Sequence, residues 1–470
     1  MNTDLADVPY SDDSETSADS RVDAGGQKDI QRTECRALHR IVVVGGGAAG
    51  LELVTRLGDR LGRRSRASIT LIECARTHLW KPLLHEVAAG SIDPGDYELS
   101  YLAQAHWHGF RYCVGEMVGL DRTVKEVRLG ATRDEQGREV TPLRSVGYDT
   151  LIIATGSQTN SRGIPGVAEH AAPLETPAQA RRFNCRLFEA CLRAQTQKGP
   201  TRPGQLNIAI VGAGATGTEL AAEIHHTIRA VVRFGFDRID PARDIRIMLI
   251  EAAERVLPGL PERISEATQK VLDRIGIDVF TDMYVTNVTA EGLYLADRTF
   301  IPAELVVWAA GVKASEVLKH LDGLEVNRVN QLIVLPTLQT TRDPDIFAIG
   351  DCAACPRPGS STPVPPRAQA AHQQAAHMLR QIARRFRGEP LAPYRYRDFV
   401  SLVSLGNRTT VGNLAGLFGA HVFVEGLLAR LMYRSLRLMH ECALGGMRRT
   451  LLHLFARVLA RQDGTRVKLH

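Results

Sequence analysis

Apolar runs that end on glycine recur along this chain and set its organisation. Ile41 to Val44 run straight into Gly45, Gly47 and Gly50, and four uninterrupted apolar positions predict a strand buried on both faces. Leu51, Val54 and Leu57 continue at helical spacing, and Ala67 to Ile72 form a second run that ends on Glu73. The unit repeats further along. Residues 206–211 lead into Gly212, Gly214 and Gly217, a helical stretch from Thr218 to Glu223 follows, and the run from Ile245 to Ile250 ends on Glu251. After each unit comes a strand that stops at a glycine turn, Tyr148 to Thr155 and Gly156 in the first, Leu305 to Gly311 in the second. A last apolar run, Asp345 to Ile349, delivers Gly350 and Asp351. Residues 173–192 read as an amphipathic connecting helix, whereas residues 1–37, rich in Asp, Ser, Thr and Gly, are expected to be disordered.

A strand, the G-x-G-x-x-G spacing and a helix start together form a seat for a dinucleotide. The first glycine permits the turn, the second lets backbone N–H groups approach a pyrophosphate, and the third lets the helix pack on the strand. A carboxylate roughly 20 residues on accepts the ribose hydroxyls. Glu73 lies 23 residues past Gly50, and Glu251 lies 34 past Gly217, with an insertion around residues 229–243 taking up the excess. An acid at Glu251 repels a 2′-phosphate, which favours NADH over NADPH. First seat, second seat, then a return strand predict an α/β fold of two Rossmann-like domains, one inserted into the other. The expected boundaries are 1–37 for the disordered extension, 38–172 and 335–396 for the outer domain, 173–334 for the inserted one and 397–470 for a C-terminal region. On the return strand, Asp351 is placed to accept hydrogen bonds from a flavin's ribityl chain.

At 470 residues, 44% apolar and 23% charged, the chain has the composition of a globular protein with two or three cores. Its longest uncharged stretch of interest, Thr409 to Val424, has 16 residues and three glycines, short of the roughly 20 apolar residues of a spanning helix. Charge is uneven. Residues 425–470 hold nine basic and three acidic side chains, an excess that equals the +6 of the whole chain, and such a tail suits an acidic surface. Leu427, Leu428, Leu431, Met432, Leu436 and Met439 alternate at helical spacing with Arg430, Arg434 and Arg437; Leu451, Leu452, Phe455, Val458 and Leu459 do so with Arg448, Arg449, Arg457 and Arg461. Two basic amphipathic helices lying in the headgroup plane of an anionic leaflet are expected, against the plainer reading of core-facing helices or a dimer contact. Nucleic acid is disfavoured, because the tail offers only Tyr433 and Phe455 for stacking. Eight cysteines at irregular spacing with no signal peptide before them fit a reducing cytosol rather than a disulfide framework.

These pieces resemble the two-dinucleotide-binding-domain flavoproteins and, within them, the bacterial type II NADH dehydrogenases, the non-proton-pumping NADH:quinone oxidoreductases. The resemblance rests on Gly45 to Gly50, His78-Leu-Trp-Lys-Pro-Leu-Leu-His85, Gly212 to Glu219, Trp308 to Lys313, Thr340 to Asp345, Gly350-Asp351 and Pro365 to Gln374, and covers roughly residues 39 to 440. The segment Ala368-Gln-Ala-Ala-His-Gln-Gln374 is the most selective of them. It implies FAD on the first seat, with Lys81, Thr155, Gly156, Gly350 and Asp351 among its neighbours, and NADH on the second, beside Glu251 and Gly311. It also implies Glu219 near the stacked rings, and Gln369, His372 and Gln373 towards a membrane quinone or the flavin. The carboxylate of Glu219 also has a plainer reading as a first-turn acid on a helix, the glutamines as a solvated face and His372 as a packed histidine. Where some members place a basic residue beside the flavin, the aligned position here is Asn407, with Arg408 after it. The expected location is the cytoplasmic side of the bacterial inner membrane; a homodimer is left open.

Rival activities are a sulfide:quinone or other quinone-linked reductase, which needs reactive cysteines beside the flavin, and an NADH-binding redox sensor with little turnover. Cys352-Ala-Ala-Cys355 has the spacing of a redox pair, but relatives with reactive pairs carry them elsewhere, so structural thiols are favoured over a regulatory disulfide or a metal pair. No metal site is expected, since His225-His226 lacks ligand spacing.

Overall fold

The computed structural model of the chain describes residues 38–233, 235–360, 362–405, 410–415, 421–425 and 427–460. The N-terminal extension, Asn407 and Arg408 lie outside them, as do the side chains of Leu427, Leu428, Arg430 and residues 457–461.

The first seat is built as its pattern dictates. Strand β1 (His39–Val44) turns through the glycines into α1 (Ala48–Leu57), and β2 (Ala67–Glu73) returns alongside β1 in parallel register, Ile41 opposite Ile69 and Val44 opposite Ile72. An excursion follows through α2 (Leu84–Ala89) and α3 (Tyr101–His108) to β3 (Arg111–Val114), and after an antiparallel three-stranded ribbon the chain re-enters the sheet as β4 (Thr150–Ile153).

The second unit repeats the plan. Strand β5 (Ala171–Pro173) leads into α4 (Pro177–Thr196), then β6 (Asn207–Val211), α5 (Ala215–Arg233), β7 (Arg246–Ile250), β8 (Asp278–Phe280) and, after its own antiparallel ribbon, β9 (Leu305–Trp308). Its parallel sheet has the order β5-β9-β6-β7-β8. The connecting helix begins at Pro177 rather than Pro173, because Ala171–Pro173 is claimed by the sheet edge. Thr176 then starts the helix with a full capping box: its hydroxyl accepts from Gln179 N and the Gln179 side chain accepts from Thr176 N. The lateness of Glu251 has its cause in the 19 residues of α5 and the loop that follows it.

Strand β10 (Ile346–Ala348) pairs with β4, so the outer sheet has the order β10-β4-β1-β2-β3 and is completed only after the second unit has been made. Helix α6 (Ala368–Phe386) then packs along α1 over a core that includes Leu51, Val54, Ile152, Phe347 and Met378. Antiparallel strands β11 (Val400–Ser404), β12 (Thr410–Ala415) and β13 (His421–Glu425) precede α7 (Leu427–Ala460). The expected pair of terminal helices is present within α7, two helices meeting at Gly446, whose φ of 74° and ψ of 162° are not helical. Before the break α7 is docked: His440 and Leu444 are buried and Leu436 packs on the second core. Two arginines expected to face lipid are used in packing instead, Arg437 over the Tyr97 ring and Arg449 over the Trp107 ring, each at 4.1 Å. After the break Met447, Leu451, Leu452 and Phe455 are exposed.

Both seats depend on one close approach. A Cβ on Gly50 would lie 1.9 Å from Gly45 O, and one on Gly217 would lie 2.0 Å from Gly212 O, whereas around Gly47 and Gly214 nothing lies within 4 Å. Gly217→Ala should therefore destabilise the protein by about 3 kcal/mol or more, read as a lower thermal midpoint. Gly214→Ala should leave the midpoint unchanged and weaken dinucleotide binding, measured by titration with NADH.

Candidate active site

The two seats agree down to single hydrogen bonds. Glu73 ends β2 and its Oε2 accepts from Gly46 N at 2.6 Å while Oε1 accepts from Ala75 N at 3.0 Å. Glu251 ends β7 and does the same, Oε2 from Ala213 N at 2.7 Å and Oε1 from Ala253 N at 3.0 Å. Each carboxylate is thus held at its glycine loop by two backbone donors. Gly45, Gly47 and Gly50 lie at one turn and Gly212, Gly214 and Gly217 at the other, each turn leaving open space at its middle glycine. That is the shape a pyrophosphate needs, so the residues present fit a dinucleotide at both places.

Beside the first seat several distant residues meet. Lys81 Nζ donates to Ser157 O at 2.7 Å, Ser157 Oγ donates to Asp351 Oδ2 at 2.8 Å, and Gln331 Nε2 donates to Asp351 O at 2.8 Å. Gly350 adopts φ of 76° and its N–H is taken by Gln374 Oε1 at 2.6 Å. Thr155 and Gly156 lead from β4 into the same crease. Ser157 escaped notice because nothing in its local pattern marks it, and Gln374, though it closes the selective Ala368–Gln374 segment, was not singled out as a site. Gly311 follows β9 and accepts from Asn160 N at 3.2 Å.

Glu219 lies in the first turns of α5 and is buried. Its Oε1 accepts from Ser404 N of β11 at 3.0 Å, and its Oε2 faces His85 Nδ1 at 3.6 Å. Burial pushes its carboxyl up to about 8, beyond what hydrogen bonds from Ser404 and Tyr433 offset, with Glu86 and Glu223 adding to the rise. Burial also holds His85 neutral down to about 4. Near neutral pH the two are an acid and a base both without charge, not an ion pair.

The α6 residues go separate ways. Gln369 and Gln373 both donate to Arg397 O, at 2.8 and 2.7 Å, and Gln373 Oε1 accepts from Arg397 N at 3.0 Å. Their amides hold the strand-like segment before β11. His372 pairs through Nδ1 with Glu52 of α1, whose other oxygen meets Arg56 at 2.7 Å. Cys352 and Cys355 are buried and free, and burial raises both thiols, Cys355 to about 12. Cys352 Sγ donates to Ile349 O and Ile153 O, so it behaves as a structural thiol. Among the described residues no cluster of three or more His, Cys, Asp or Glu side chains has the form of a metal site.

Because Glu219 is raised in the folded protein, its unfolded counterpart ionises first. Stability is full below the unfolded value near 4.5 and is lost up to about 8, at a limiting slope of about 1.4 kcal/mol per pH unit. Glu219→Gln should flatten the fall in thermal midpoint across that window; an unchanged pH profile would show the acid to be ionised.

Residues 39–375 match the model of the pyridine nucleotide-disulphide oxidoreductase family. A Type II NADH:quinone oxidoreductase of Haemophilus influenzae is 41% identical over 446 residues, covering 92% of this chain and 100% of the relative. One from Mycobacterium tuberculosis is 29% identical, covering 84% and 83%. Among solved structures, NDH2 of Plasmodium falciparum in complex with NADH superposes with a TM-score of 0.77 at 18% identity, covering 92% of this chain and all of that one. The sulfide:quinone oxidoreductase of Aquifex aeolicus shares the fold with a TM-score of 0.68 at 17% identity, covering 87% and 92%. A doubled glycine seat, an acid at each, and kinship over nearly the whole length agree: the chain belongs to the pyridine nucleotide-disulphide oxidoreductase family and, within it, to the type II NADH:quinone oxidoreductases.

Proposed function

We propose that this protein is a flavoenzyme that oxidises NADH with a membrane quinone, without pumping protons. The observation that carries the reading is the doubled seat: one chain offers two pyrophosphate cradles, and only the first also receives Asp351 from a return strand. FAD bound at the first seat supplies two-electron chemistry between NADH and quinone. The overall balance is NADH, quinone and one proton giving NAD⁺ and quinol.

The protein's own residues bind, orient and hold protons. Glu251 selects a ribose with a free 2′-hydroxyl, because its carboxylate repels a phosphate there. Lys81, Ser157 and Asp351 form a linked row beside the first seat, with Asp351 the acceptor for ribityl hydroxyls. Glu219 keeps a proton at neutral pH on Oε2, since Oε1 already accepts from Ser404, and serves as a buried hydrogen-bond donor near the reacting rings. Gln369 and Gln373 shape the quinone side by fixing Arg397, and His372 offers a partly exposed imidazole anchored by Glu52. Raised thiols at Cys352 and Cys355 count against sulfide chemistry at that pair, because the thiolate is the reactive form.

No described helix is long and apolar enough to cross a membrane. We place the enzyme as a peripheral protein on the cytoplasmic face of the inner membrane, held by α7 beyond Gly446. There Leu452 is 70% and Phe455 64% exposed, with Arg448 exposed beside them. A homodimer is compatible with this attachment.

Purified, FAD-loaded protein should oxidise NADH only slowly alone and rapidly with a short-chain quinone, with NADPH at least tenfold poorer in kcat/KM, about the discrimination one repelled charge provides. Flavin that NADH never reduces would overturn the assignment; reduction without quinone turnover would favour the sensor. Replacing Leu452 and Phe455 together by Asp should lower co-sedimentation with anionic lipid vesicles by roughly tenfold or more, leaving turnover with short-chain quinone unchanged.

A further inference from the structure

Gly46 stands outside the three-glycine spacing, yet both sides of it are held. Its carbonyl accepts from Tyr101 Oη at 2.8 Å and lies 3.0 Å from His78 Nδ1. Carbonyl and N–H of one trans peptide point in opposite directions. Two donors on Gly46 C=O therefore aim the Gly47 N–H to the other side of the peptide, at a glycine whose Cβ would meet nothing within 4 Å. A hydrogen-bonded carbonyl also polarises its peptide, which strengthens that N–H as a donor. Tyr101 comes so near that a Cβ on Gly46 would lie 2.6 Å from its ring.

The tautomers follow from the partners. A carbonyl can only accept, so His78 carries its proton on Nδ1 and presents a bare Nε2. That nitrogen faces His440 Nε2 at 3.0 Å, so His440 must bring the proton there. Burial keeps both imidazoles neutral, His78 down to about 4, with His372 adding to the depression at each. His440 is wedged between Trp80, stacked at 5.7 Å, and the edge of His372 at 5.2 Å. A chain that ends on a carbonyl cannot hand a proton on, so the pair orients and does not conduct. In the second seat the matching carbonyl, Ala213 O, is held by Leu257 N and Thr218 Oγ1 from its own unit. The first seat instead draws one donor through α7.

We propose that His440 is a positioning residue for the first glycine loop: its Nε2–H fixes His78 in the tautomer that holds Gly46, so that docking of the C-terminal helix sets how tightly the first seat retains its dinucleotide. The proposal rests on reading that seat as the FAD site. The docked half of α7 is anchored nearby by Gln104 Nε2, which donates to Leu444 O at 2.6 Å, and by Arg437 over Tyr97. If the helix lifts, His78 loses the partner on Nε2 that supports its Nδ1–H tautomer, and one of the two outer donors on the loop is held less firmly.

The rate of FAD release from diluted holoenzyme, followed by flavin fluorescence, tests this. His440→Phe keeps an aromatic ring against Trp80 and removes the donor; His440→Gln returns an N–H. FAD should leave the Phe variant roughly tenfold faster and the Gln variant within about twofold of the native rate, with NADH affinity at the second seat unchanged in both. Native release from the Phe variant, or equal acceleration in both, overturns the proposal. Should the Phe variant not fold, ¹⁵N-histidine NMR of the native holoenzyme decides: protons on His78 Nδ1 and His440 Nε2 support it, and a proton on His78 Nε2 overturns it. Native protein that takes up no FAD would overturn the reading of the seat itself, a failure distinct from a tightly held flavin indifferent to His440.

Discussion

Backbone meets backbone at the two strand-to-helix turns, and the rest of the molecule depends on that contact. With no side chain at Gly50 or Gly217, each helix starts almost on top of the carbonyl of the first glycine in its loop. The helix N-terminus is thereby brought to the end of the central strand, and the adjacent strand delivers its carboxylate to the same point. Parallel register does the remainder. Because β1 pairs with both β2 and β4, and β4 with β10, four consecutive strand ends place Gly45, Glu73, Thr155 and Gly350 in one row. A methyl group at either contact would move every member of its row.

How much of this was legible in the sequence follows from the range of the interactions. The seats are local: glycines, strand and acid fall within one β-α-β unit, and the apolar run alone specifies a doubly buried strand. The return of β10 to the outer sheet was legible too, because a short apolar strand ending in Gly350-Asp351 has no role in the second unit. What escaped was set by contacts between distant segments. Glu52 reads as one polar position on an amphipathic helix, and only the packing of α6 on α1 brings His372, 320 residues on, to its carboxylate. His78 and His440 are 362 residues apart, and no periodicity distinguishes a histidine that bonds another from one that is merely packed. Two arginines of α7, Arg437 and Arg449, were misread for a related reason. Their spacing fits a solvated face, but Tyr97 and Trp107, on an excursion of the first unit, supply rings that cover two of them.

Around the candidate site, burial outweighs local charge. Glu219 stays protonated despite hydrogen bonds that favour its anion, His78, His85 and His440 stay neutral, and the buried thiols stay protonated. Glu219 and the three buried histidines thus offer donors and acceptors without charge, while charged side chains such as Lys81 and Glu251 stand at the glycine loops. Such surroundings suit a reaction in which hydride and electrons move between large planar rings, because little solvent or counter-charge must rearrange as they do.

Gly446 divides α7 into a half docked on the enzyme body and a half that touches it through Arg449 and Thr450 but leaves Met447, Leu451, Leu452 and Phe455 exposed. That division separates two kinds of evolutionary change. Substitutions before the break alter how the helix sits against Tyr97, Gln104 and His78, and are felt in the body. Substitutions at the exposed Leu451, Leu452 and Phe455 after it change an apolar surface that the body does not cover. Drift in the last turns of one helix could therefore remodel that exposed surface while the contacts of His440 and Leu444 with the body stay as they are.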